Sequence, residues 1–140
     1  MTAVKGVNTT KIDAGPSGDN AISQGYVNAE VEVATELYEA SALATASTID
    51  IAELPANAKV LAIVINHDDL GTAVTLAAGD SDDPDRYITA ASVASLGQID
   101  TMRVDGVQYV IGTNTGDSRV QLLTSGTITG TIKTAVYYTR

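Results

Sequence analysis

The densest chemistry in the chain lies in Asp80-Ser81-Asp82-Asp83-Pro84-Asp85, where four carboxylates fall within six residues. Alternating carboxylates can converge on a hard cation, and calcium asks for six to eight oxygen ligands. The stretch lacks the central glycine and terminal glutamate of a helix–loop–helix calcium site, and Pro84 breaks the alternation. The competing reading is a solvated turn in which Asp85 pairs with Arg86. A second cluster, His67-Asp68-Asp69, sets an imidazole beside acids, the makings of a general base. A Gly-x-Ser-x-Gly nucleophile elbow is absent, as is a phosphate-cradling Gly-x-x-x-x-Gly-Lys loop. Carboxylate pairs for glycoside hydrolysis are available among 17 Asp and Glu, but there is no Trp to form a sugar platform. With no cysteine and one histidine, zinc fingers, thiol redox centres, iron–sulfur clusters and histidine-rich metal sites are excluded. The sequence therefore predicts no catalytic residue, no metal site and no cofactor, and the chain reads as a non-enzyme.

The elements that would hold such residues follow from composition. The chain has 140 residues, the length of one domain. Its net charge of −9, with only 8 Lys and Arg, argues against nucleic-acid or anionic-membrane partners, which need clustered cations. Phe and Trp are absent, so the core must come from Val, Ile and Leu with many Ala and Thr. β-Branched residues favour a pleated surface, and small ones allow thin, closely packed layers. The fold class expected is all-β: a single antiparallel β-sandwich, of jelly-roll type, with an extended N-terminal arm. No secretory signal is evident, and the longest apolar run, Val60 to Ile65, is too short to span a bilayer. A soluble protein made in a cytoplasm is expected.

Residues 1–25 form the expected arm: they are rich in Gly, Ser, Thr, Asn and Asp, without a sustained apolar period. They read either as a loose tail or as an arm that orders on a neighbouring surface, with a reach of up to roughly 80 Å. The sandwich is expected over residues 26–140. Val27, Ala29, Val31 and Val33 alternate with polar residues as in a half-buried strand. Thr35 to Ser47 fits either a continued strand and loop or a short helical turn. Glu30, Glu32, Glu36 and Glu39 read as a wet strand face or as a guard against edge pairing. Leu54-Pro55-Ala56-Asn57 predicts a turn, and Lys59 to Asn66 a central strand covered on both sides. Shorter strands are expected at Thr72 to Ala78 and Arg86 to Thr89. Asp105-Gly106 and Ser125-Gly126 each predict a hairpin, joining 99–104 to 107–111 and 119–124 to 127–138. In the last strand, Ile128, Gly130, Ile132, Thr134, Val136 and Tyr138 share one face. Tyr137 and Tyr138 then point oppositely, one to the core and one available to an interface. Eight or nine strands result.

Several segments, in order, resemble a family of small tailed-bacteriophage virion proteins. They are Val4-Lys5-Gly6-Val7-Asn8-Thr9-Thr10-Lys11, Tyr38-Glu39-Ala40-Ser41 and Leu54-Pro55-Ala56-Asn57-Ala58-Lys59-Val60-Leu61. His67-Asp68-Asp69-Leu70-Gly71-Thr72, Asp85-Arg86-Tyr87-Ile88 and Gly130-Thr131-Ile132-Lys133 follow, then Ala135-Val136-Tyr137-Tyr138. The resemblance covers nearly the whole chain, more weakly from Ala90 to Ser125. It implies a virion structural protein, most plausibly a capsid decoration (cement) protein on the outer surface of the shell. The partners implied are the major capsid protein and two further copies in a homotrimer. Lys5, Asn8, Lys11, Tyr26 and Tyr137 are the candidate capsid or subunit contacts. Rival readings are a head fibre, neck or tail component, or a carbohydrate-binding β-sandwich module.

Overall fold

A computed structural model describes residues 30–140, and the chain divides into two units, Met1–Glu30 and Val31–Arg140. The expected arm and the start of the first expected strand lie outside the described residues. The second unit is all β: β1 (Val31–Leu43), β2 (Thr48–Glu53), β3 (Lys59–His67), β4 (Thr75–Gly79), β5 (Ile88–Ser92), β6 (Gly97–Ile99), β7 (Arg119–Thr124) and β8 (Ile128–Thr139). They form two four-stranded antiparallel sheets, sheet I in the order β1-β8-β3-β6 and sheet II in the order β2-β7-β4-β5.

A single apolar cluster lies between the sheets. Sheet I gives it Val60, Ile63 and Ile65 from β3 and Ile128, Ile132 and Val136 from β8; sheet II gives it Ile49, Ile51, Leu76, Ala78, Val120 and Leu122. Each large aliphatic side chain so buried stabilises the fold by about 1.5–3 kcal/mol relative to exposure. The alternation read along β8 holds: Ile128, Ile132, Thr134, Val136 and Tyr138 are all buried. Thr35 onward continues as strand, so the helical alternative fails. Strand β1 runs to Leu43 with a register shift after Ala40, and the chain then turns with Ala46 at φ +59°. Leu54 to Asn57 does turn, closed by the Ala58 N–H donating to Pro55 O, with Asn57 at φ +68°.

Three expectations are corrected. Ser125-Gly126 joins strands of different sheets, because β7 lies in sheet II and β8 in sheet I. It is a corner between layers, pinned where Ser125 Oγ accepts the Thr75 N–H at 2.9 Å. Among consecutive strands only β4 and β5 pair with each other, so most turn signals here mark changes of sheet. Asp105-Gly106 makes no hairpin either; the Gly106 and Val107 N–H groups both close on Arg103 O. Glycine is needed at 106 for close approach: a Cβ there would lie 2.6 Å from Arg86 O and 2.8 Å from Tyr87 Cα. Finally, β3 is central but not covered on both sides. Its inner face is buried, whereas Leu61, Ala62 and Val64 are only half-buried and Asn66 is exposed.

Candidate interaction surface

The strand registers place the outward side chains of sheet I in rows across β1, β8 and β3. Val31, Thr139 and Lys59 form one row, extended by a bridge from Lys59 to Val110. Val33, Tyr137 and Ala62 form the next, followed by Thr35, Ala135 and Val64. Leu37, Lys133 and Asn66 make the fourth. Period two in β1 and β8 generates these rows, since alternate residues must face away from the core. Val31 is 59% exposed, Val33 52%, Leu37 51% and Tyr137 37%. Contiguous exposed apolar rows of this kind mark interaction sites, unlike scattered single residues. No carboxylate occupies these four rows, and both lysines among the described residues, Lys59 and Lys133, do.

Sheet II presents the opposite character. Its outward rows are Thr48, Leu123 and Ala77, then Asp50, Gln121 and Gly79, with Glu53 opposite Arg119 at the end. Polar groups there satisfy one another. Gln121 Nε2 donates to Asp50 Oδ1 at 2.6 Å, and Arg119 pairs with Asp50 at 3.3 Å and with Glu53 at 3.9 Å. The Asp80–Asp85 loop folds back over the end of β4, so that a side chain at Gly79 would fall on the backbone of Asp83 and Pro84.

That loop uses its acids structurally. Asp80 is buried and accepts the Asp82 and Asp83 N–H groups at 2.9 Å each, while Arg86 Nε donates to its second oxygen at 2.5 Å. Arg86 reaches Asp82 as well, and Asp85 pairs with Arg103 at 3.2 Å, so the expected Asp85–Arg86 pair is replaced by these. The hydrogen bond that Arg86 donates to Asp80 raises its guanidinium above the ordinary value despite partial burial. The Arg86 guanidinium lies 4.2 Å from the centroid of the Tyr109 ring. Tyr109 donates to Asp117 at 2.8 Å, and Asp117 also accepts the Gly112 and Asn114 N–H groups at 3.0 Å each. Burial opposes ionisation of Asp117, but the bonds from Asn114, Tyr109 and Gly112 outweigh it and hold its carboxyl below the ordinary value. Burial, then the Asp117 bond, pushes the Tyr109 phenol up. The network fastens the long β6–β7 connection to the end of β4. Sequence reading missed Asp117 and Tyr109, which carry no motif and meet Arg86 only through the fold.

The His67 cluster is likewise structural. His67 is buried and its Nδ1 donates to Asp68 O at 2.8 Å. Asp68 accepts the Thr131 N–H and Asp69 the Gly71 N–H, so both acids hold backbone rather than the imidazole. No group of three or more acids, histidines or cysteines among the described residues is placed to hold a metal ion. Of the candidate contacts, Tyr137 sits in the centre of the sheet I face, with Tyr138 behind it in the core. Lys5, Asn8, Lys11 and Tyr26 lie outside the described residues.

Solved structures share this architecture. A chain of the cyanophage Pam1 capsid asymmetric unit aligns with TM-score 0.61 and 25% identity, over 80% of this chain and 84% of that one. A chain of the capsid of Ralstonia phage GP4 aligns with TM-score 0.56 and 18% identity over the same shares, a likeness of fold. No protein-family model matches the chain, and no curated protein matches its sequence. Two antiparallel sheets, an apolar outer face and a capsid chain as neighbour together support one class, a phage capsid-related structural protein. The Pam1 neighbour supports a place in the virion.

Proposed function

We propose that the protein is a head decoration, or cement, protein: a non-enzymatic homotrimer that binds the outside of the capsid and bridges major capsid protein subunits. The likeness to a chain of a phage capsid asymmetric unit carries this reading. The strand order supports an eight-stranded jelly roll, an architecture common to capsid domains. The one-sided distribution of exposed apolar side chains supports a protein that works by contact, and Asp80, Asp82, Asp85, Asp68 and Asp69 are engaged in holding backbone or arginine. A ligand that binds only the assembled shell stabilises that shell by mass action. Residues 1–25 supply the grip on the shell, so deleting them is expected to leave the sandwich folded and to abolish particle binding.

The test is the copy number of the protein in purified virions against the major capsid protein, by quantitative mass spectrometry. A ratio near one is expected. A ratio far below one moves the protein to a fibre, neck or tail position, and absence from virions overturns the reading.

A further inference from the structure

We propose that the outer face of sheet I is the subunit interface, and that its occupant is a second copy of this chain, seated through the rim formed by β1 and β2. The inference deepens the homotrimeric part of the reading above and rests on that part alone.

Charge selects the occupant. A chain of net charge −9 repels its own copies at most approaches. The four rows of the sheet I face carry no carboxylate and both described lysines, so this is a surface that an acidic copy can meet without apposing like charges. The acidic counterpart is on the same molecule. Where the edges of β1 and β2 come together, a shallow groove is lined by Glu36, Asp50 and Glu53, with Arg119 at its side. Glu36 occupies a core-facing position of the edge strand β1, yet is exposed. Its carboxylate accepts the N–H of the next residue, Leu37, at 3.0 Å.

Two like faces packed together would set lysines against lysines across these four rows; the nearest outward carboxylate, Glu39 in the adjoining row, is already engaged by the Thr131 hydroxyl at 2.8 Å. Face against rim instead brings Lys133 of one copy to Glu36 of the next, and Val33, Leu37 and Tyr137 against the rim. It also covers the edge of β1, a 13-residue strand that would otherwise template further pairing. Contact between two different patches is heterologous, and heterologous contacts close into rings when the rotation permits. A trimer is the small ring this arrangement makes.

The experiment is the solution mass of the full-length chain by sedimentation and light scattering at tens of micromolar. The expected mass is three times the 14.4 kDa of one chain. Tyr137→Glu and Lys133→Glu should each shift the species to monomer with an unchanged circular dichroism spectrum. Thr89→Glu, exposed on β5 at the far edge of sheet II from that rim, should leave the trimer intact. The double variant Lys133→Glu with Glu36→Lys should restore it, which a merely misfolded variant would not do. A monomeric wild type overturns the inference, whether the face is taken by this chain's own first 29 residues or by the shell protein. So does a trimer indifferent to Tyr137→Glu, or a charge exchange that fails to restore. The two proposals fail separately: a trimer absent from virions removes the decoration reading and keeps the interface, and a monomer at full copy number does the reverse.

Discussion

The two outer faces of this sandwich follow the same alternation, sheet I on strands of up to 13 residues and sheet II on strands of five or six, yet they solve opposite problems. Sheet II turns Asp50, Gln121 and Arg119 outward and lets them satisfy one another. It shields the end of β4 with an acidic loop whose buried Asp80 is paired with Arg86. Sheet I turns Val31, Val33, Leu37 and Tyr137 outward and leaves them exposed. Both faces fold equally well, because burial of the inner faces pays the entropy of ordering. What differs is the solvent each face is made for: water over sheet II, another protein surface over sheet I.

Breaking the anchor behind sheet II should cost stability and nothing else. Asp80→Ala removes the partner of an arginine that is itself mostly buried, so a loss of about 3–5 kcal/mol in urea unfolding is expected. Self-association should be unchanged at temperatures where the variant stays folded. Asp117→Asn comes next, at about 2 kcal/mol, because three donors lose a charged acceptor. It also carries a pH signature. The folded carboxyl is held below its ordinary value, so the unfolded chain takes up the proton first as pH falls. The stabilisation is complete above about pH 4 and is lost as pH drops through the folded value. Acid unfolding curves of Asp117→Asn should lack that contribution. Asp50→Ala is the smallest change, under about 1 kcal/mol, since its pairs with Arg119 and Gln121 are about half exposed. A loss of several kcal/mol there would mean that the polar surface of sheet II is an energetic element rather than a solvated one.

Much of the architecture could be read from the residues, and the failures share one cause. Alternation in β8 sorts its residues onto two faces, and the β-branched run at Val60 to Ile65 marks a central strand, because each depends on local periodicity. The two hairpins failed because Asp105-Gly106 and Ser125-Gly126 carry a signal for a bend, and a bend does not specify which strand is met after it. In a fold where consecutive strands mostly change sheet, a glycine marks close packing as often as a reversal: Gly106 sits against the backbone of Arg86 and Tyr87. The interaction surface was legible in part. Parity in the last strand offers one of Tyr137 and Tyr138 to an interface, and the fold gives that place to Tyr137. Alternation in β1 predicts Val31 and Val33 on a buried face and the glutamates on a wet one, but the valines point outward, 59% and 52% exposed, while Glu32 is half-buried: an apolar strand face does not say whether it meets the core or another molecule. The Asp80–Arg86–Tyr109–Asp117 network was invisible, since its members lie in separate loops that only the sheet order brings together.

The measurement that tests the account most directly is hydroxyl-radical footprinting of the protein on intact virions, compared with the dilute free chain. The account predicts protection of Leu37 and Tyr137 on sheet I, with Leu123 on sheet II labelled equally in both states. Protection confined to Leu123, with Leu37 and Tyr137 labelled as in the dilute chain, would contradict it.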